Sequence, residues 1–153
     1  MISVPHHSIA FQSASDLSLL IMEGIGLQNV CTQEYFHDNR TRTDAKCVIQ
    51  YTFNGEGVFE IDGTRYRVGK EEAFLFEIPG NSWYYLPEDS VGWEFLYLEF
   101  SKECLPLLRK IYRMSGPVVR LPEKCGLPSR MMEIYEMALE GQWNSLFENS
   151  RIA

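Results

Sequence analysis

Three histidines, His6, His7 and His37, are the only imidazoles in a chain of 153 residues. A transition-metal site built on imidazole needs several neutral ring nitrogens converging on one ion. A Ser or Cys nucleophile needs one such ring as its base. No His follows position 37, so the later strand-rich region has no imidazole of its own, although folding could bring His37 beside a nucleophile. The cysteines Cys31, Cys47, Cys104 and Cys125 show neither Cys-x-x-Cys spacing nor a His at a zinc-ligand interval. The expectation is no metal, no cofactor and no catalytic residue, with thiols reduced in the cytoplasm. A disulfide framework is the alternative, disfavoured in a chain with this much core.

The remaining candidates are side chains suited to binding. Alternation in the run from Trp93 to Phe100 places Trp93, Phe95, Tyr97 and Glu99 on one face, and Leu96, Leu98 and Phe100 on the other. Trp83 and Tyr85 likewise share a face. If the first set lines an interior, the second can pack beneath helices. Inward aromatics of a barrel are more often core than ligand contacts. An inward Glu99 would need a partner and would mark a polar pocket; the preferred reading is a solvent-facing residue at the strand end.

Those residues sit on short strands. Cys47 to Phe53 and Val58 to Ile61 flank the Gly-rich turn Asn54-Gly-Glu-Gly, and Asp62-Gly63 turns directly into Thr64 to Val68. Gly69 to Glu72 turns again before Ala73 to Ile78. Pro79-Gly80 leads into Trp83 to Leu86, and Trp93 to Phe100 closes the series. Six strands with turn chemistry between them predict an antiparallel sandwich or barrel. Upstream, Leu17 to Met22 reads as a strand or a short buried segment, and residues 36–46 as a polar loop. Downstream the period changes to helical. Leu107, Leu108, Ile111 and Tyr112 mark one stripe, with Pro106 in its first turn. Residues 117–121 return briefly to β. Residues 128–140 form a second helix with Met131, Ile134, Tyr135 and Ala138 on one face and Gly141 as the stop. Ser145 and Glu148 form a capping box for a third helix that the sequence does not finish by Ala153.

The formal net charge of −7 argues against direct binding of nucleic acid, because phosphates are held by clustered Lys and Arg. The apolar share of 45% is that of a soluble globular domain, and the 13% aromatic share suits a β core or an aromatic-lined pocket. No signal peptide or membrane-length apolar run is present, so no membrane partner is expected.

Taken in order, the run from Gln50 through the Asn54-Gly-Glu-Gly turn, the hairpin at Asp62-Gly, the strand from Ala73 into Pro79-Gly, and the strand from Trp93 resemble the N-terminal sensor domain of AraC-type transcription regulators. The resemblance runs from about Gly24 to the end of the chain. It implies a mainly β fold, an antiparallel cupin-like (jelly-roll) barrel over residues 1–116. C-terminal α-helices over residues 117–153 would pair two subunits through Met131, Ile134, Tyr135 and Ala138. The same stripe could instead pack on its own barrel. The implied role is sensing of a small molecule, a sugar or related metabolite, that alters how an attached helix-turn-helix domain engages DNA. Arg40 falls where arabinose-responsive members carry a sugar-binding Arg, and Tyr85 on their sugar-contacting Tyr. Phe95 and Tyr97 fall on a His and a Trp that face the sugar, and the exchange of that His for Phe95 points away from arabinose itself. With Trp83, Trp93 and Glu99 these are the expected ligand-binding residues. A bidentate Arg suits hydroxyl and carboxylate oxygens, and flat rings suit a pyranose face.

Cupins also include metalloenzymes, whose motifs place two His one residue apart, then a Glu, then a further His. This chain has Trp83 where many relatives have a His, and no such constellation. Two rival readings stand beside the sensor: a metal-free cupin enzyme acting on a carbohydrate, and a ligand-free dimerisation module. The sensor reading carries further expectations. The domain alone does not bind duplex DNA, and its gene continues past Ala153 into a basic helix-turn-helix region.

Overall fold

In the computed structural model, residues 2–11, 19–141 and 150 are described. Among the described residues, ten strands form two antiparallel sheets. The larger runs β1 (Ser8–Ala10), β2 (Met22–Val30), β9 (Trp93–Ser101), β4 (Lys46–Gly55), β7 (Glu72–Ile78), β10 (Val118–Arg120). The smaller runs β3 (Phe36–Asp38), β8 (Ser82–Tyr85), β5 (Gly57–Ile61), β6 (Thr64–Val68). Val48, Phe74, Phe76, Trp93 and Phe95 of the large sheet meet Phe59, Val68 and Tyr84 of the small one in a single buried cluster. That cluster closes the barrel, and the mainly antiparallel β class read from the sequence is the class observed.

Turn chemistry places the strands as read. Asp62 and Gly63 both take positive φ, 49° and 79°, the geometry of a two-residue hairpin turn, and Ile61 pairs with Thr64 across it. Two elements differ from expectation. Residues 36–38, read as loop, form β3, whose three residues pair with β8. So short an edge strand draws its stability from its neighbour, including the His37 ring stacked on Tyr84 at 5.0 Å, and its composition does not announce it. The nine-residue β2 was equally hidden: Gly24, Gly26 and Gln28 occupy its inner face, so no apolar alternation shows. Met22 opens that strand, while Leu17 and Ser18 lie outside the described residues.

The outer face of the large sheet is covered by helices. After a 3-10 turn at Lys102–Cys104, α1 (Leu105–Ser115) sets Leu108 on Cys47 and Leu75, and the Tyr112 hydroxyl donates to the Leu75 carbonyl. Next comes α2 (Leu127–Leu139), which ends before Gly141. Its Met131, Ile134, Tyr135 and Ala138 are 1%, 7%, 0% and 7% exposed against Met22, Ile25, Leu27, Leu96 and Leu98. This corrects the expectation of a dimer seam there: the apolar stripe is covered by the chain's own sheet, so it is not free to meet a second subunit. The Ser145 and Glu148 capping box lies outside the described residues. Among the described residues no helix is long and apolar enough to cross a membrane.

Candidate ligand-binding site

Between the sheets, bordered by Val48, Phe76 and Tyr84 of the buried cluster around Trp93, lies a cavity of about 370 Å³. Strand β9 turns Tyr97 and Glu99 into it, and β4 contributes Val48 and Gln50. Gln28 comes from β2, Phe76 from β7, Tyr84 from β8 and His37 from β3, with Tyr35 and Arg42 from the flanking loops. Room for Tyr97 and Glu99 is made by glycine. A Cβ on Gly26 would lie 2.5 Å from the Tyr97 ring, and one on Gly24 would lie 2.7 Å from Glu99 Oε2. Each glycine stands opposite the residue it accommodates in the β2–β9 ladder.

The charges of the cavity are matched internally. Lys46 Nζ donates to Glu99 Oε2 at 3.1 Å and lies 2.9 Å from Asp44 Oδ2; Arg42 Nη2 lies 3.2 Å from Asp44 and 3.7 Å from Glu99. Burial alone would lower the Lys46 pKa, but its bonds to Asp44 and Glu99 reverse this and hold the ammonium charged. Burial pushes the Tyr35, Tyr84 and Tyr97 phenols up, so all three keep their protons. His37 moves the other way: burial first, then the Arg42 charge, lowers its pKa and leaves a neutral imidazole at pH 7. Gln50 is 1% exposed, and its Nε2 has no hydrogen-bond partner among the described residues. A buried amide donor left unpaired costs about 1–3 kcal/mol. It is an unused donor in the cavity wall.

Residues 24–152 match the family model of the AraC-like ligand binding domain. The chain belongs to that family. As an AraC-like ligand-binding domain it is a small-molecule-sensing module of the kind carried by AraC-type regulators. No curated protein sequence matches it significantly. Among solved structures it resembles the protein YhaK from Escherichia coli, at 14% identity and TM-score 0.51, over 63% of this chain and 44% of that one. The AraC-like domain thus spans less than half the length of YhaK, and the likeness is one of fold. A cupin protein from Bacteroides fragilis aligns at 12% identity and TM-score 0.45 over 66% of this chain and 80% of its own. An RmlC-like cupin from Methanocaldococcus jannaschii aligns at 13% and 0.38, over 70% and 98%.

Within this AraC-like domain the expected ligand residues divide into three groups. Tyr97 and Glu99 line the cavity, and Glu99 is an inward carboxylate with cationic partners rather than a solvent-facing strand end. Trp93 and Phe95 point the same way but are 0% exposed in the closing cluster, where Trp93 Nε1 donates to Thr52 Oγ1 at 3.0 Å. They are core beneath the cavity. Trp83, Tyr85 and Arg40 lie outside the barrel. The Arg40 guanidinium sits 4.5 Å over the Trp83 ring and binds Asp38 at 2.9 and 2.8 Å, and the Tyr85 hydroxyl donates to Glu60 at 2.9 Å. On β8 the difference is one of parity: a shift of one residue exchanges the faces of a strand, so Tyr84 takes the inward place expected of Tyr85. In the loop between β3 and β4 it is Arg42 rather than Arg40 that reaches the cavity.

Gln28, Tyr35, His37, Arg42, Gln50 and Tyr84 were not anticipated as site residues. One signal was available: Gln50 shares the inward parity of Val48, a polar residue at a core position of a strand. Among the described residues no group of three or more His, Cys, Asp or Glu could hold a metal ion.

Proposed function

We propose that this domain senses a small, uncharged, hydroxyl-rich metabolite, a sugar or close relative, and controls transcription through an attached helix-turn-helix domain. The observation that carries the ligand class is Gln50: a fully buried amide donor, unpaired among the described residues, in the wall of a polar cavity. Gln28 and three protonated phenols surround the same space and offer both donors and acceptors. Arg42 and Lys46 are balanced by Asp44 and Glu99, which favours a neutral ligand over a phosphate or other dianion. Phe76 and the tyrosine rings suit the apolar face of a pyranose. His37 in the cavity wall is what a metal-free enzyme would exploit. Binding is preferred because the charged group acting on His37 is Arg42, which weakens it as a base.

The test is a thermal-shift screen against pentoses, hexoses, polyols and sugar acids, repeated on Gln50→Leu. The reading expects at least one neutral polyhydroxy compound to raise Tm in the native chain, with a much smaller rise in the variant. It also expects that compound to be recovered unchanged by NMR. Chemical conversion would favour the enzyme, and a panel in which only anions bind would overturn the ligand class.

A further inference from the structure

Two thiols meet on the far side of the large sheet. Cys47 lies on β4 with its side chain under the helices, 1% exposed. Strand β4 pairs with β9 as far as Lys46 opposite Ser101, and the 3-10 turn that follows brings Cys104 against the Cys47 cluster. The two side chains pack in one cluster and line one apolar cavity of about 180 Å³ between the sheet, α1 and α2. Both are free thiols.

Their surroundings are unequal. Cys104 ends the 3-10 turn that leads into the eleven-residue α1. The neighbouring Cys47 thiol pulls the Cys104 thiol below its ordinary value, against burial. The Cys104 neighbour, and then burial, pushes Cys47 far up and keeps it protonated. Cys104 is half-buried, so a small solute can reach it, whereas Cys47 is 1% exposed. This is the division of labour between an attacking and a resolving thiol.

We propose that Cys47 and Cys104 form a peroxide-sensitive pair that closes to an intramolecular disulfide. The Cys104 thiolate attacks one oxygen of hydrogen peroxide, the O–O bond breaks, and the departing hydroxide becomes water with the proton that the Cys104 thiol released to solvent on ionising; Cys104 is now a sulfenic acid. The Cys47 sulfur then attacks the Cys104 sulfur. Its proton departs with the sulfenic hydroxyl as water, and the S–S bond forms. One peroxide is reduced by two electrons, and two thiols are oxidised by the same two. The bond ties β4 to the start of α1.

The full chain carrying Cys31→Ser and Cys125→Ser, which removes both exposed thiols, is treated with hydrogen peroxide, denatured, alkylated and peptide-mapped without reductant. The expected product has lost about 2 Da, takes up no alkyl group, and yields a Cys47–Cys104 cross-linked peptide that dithiothreitol releases. In Cys47→Ala, Cys104 gains roughly 16–48 Da instead, and in Cys104→Ser the same dose leaves Cys47 reduced. The mapping with both thiols present needs no substitution at the pair, so misfolding of a variant does not blur it. Full alkylation of both cysteines after peroxide, or equal oxygen uptake with and without Cys47, would overturn the proposal.

Discussion

Gly26 and Tyr97 face each other across β2 and β9, and a Cβ on the first would lie 2.5 Å from the ring of the second. Contacts below 3.0 Å are essentially never made by a real Cβ, so in Gly26→Ala the phenol must move. The expected cost is about 1–3 kcal/mol in denaturant unfolding, from overpacking a well-filled site. Gly24→Ala meets the flexible end of Glu99 at 2.7 Å and should cost less. Native-like stability in Gly26→Ala would contradict the geometry.

Arg42 and Arg40 should separate cleanly. Arg42 holds the His37 pKa down through its charge, so Arg42→Ala should shift the imidazole NMR titration to higher pH, while Arg40→Ala leaves it in place. For any sugar found to bind, Arg42→Ala should weaken affinity roughly tenfold to a hundredfold, the worth of about one buried charge-assisted hydrogen bond. Arg40→Ala, which breaks an exposed pair with Asp38, should leave affinity unchanged within twofold or so.

The Tyr135 hydroxyl accepts from the His7 amide at 2.7 Å and donates to the Pro5 carbonyl at 2.6 Å, clasping the N-terminal segment to α2. Tyr135→Phe should cost about 1–2 kcal/mol and speed hydrogen exchange at the His7 amide more than in β4 or β9. Ile134→Glu should give an unfolded chain in circular dichroism, not a folded monomer, because it buries an unpaired charge against the protein's own sheet.

Glu94 fixes the other end of that segment, accepting from the Ile2 amide at 2.9 Å, from Asn54 Nδ2 at 2.8 Å and from His6 Nε2 at 3.2 Å. Burial alone would raise its pKa, but these bonds outweigh it and hold the carboxyl below 4.5. A depressed acid stabilises the fold fully above the unfolded value and loses that contribution as pH falls through the folded one. Amide protection of residues 2–10 should therefore fade below pH 4.5 before the barrel melts. In Glu94→Gln that pH dependence should be absent.

Local chemistry made much of this legible. The turn at Asp62-Gly63 follows from two residues that tolerate positive φ, and the alternation from Trp93 to Glu99 put Tyr97 and Glu99 on one shared face, although Glu99 was read as facing solvent and lines the cavity instead. What escaped depends on partners far along the chain. The parity of β8 accompanies a buried bond between Asn39 Nδ2 and Ser82 Oγ, 43 residues apart, and nothing within Trp83-Tyr84-Tyr85 reveals which ring turns inward. Periodicity showed that α2 has an apolar face, yet it carries no information on whether a sheet or a second helix covers it.

Strand β4 sends Lys46, Val48 and Gln50 toward the ligand cavity and Cys47, Ile49 and Tyr51 toward the helices. A single layer of backbone is thus the whole distance between the sensed molecule and the surface on which α1 and α2 rest. A ligand that drew Gln50 inward would pull on the peptide groups that seat Ile49, and so on the footing of the helices. Communication of this kind needs no relay of side chains; its range is the thickness of one strand.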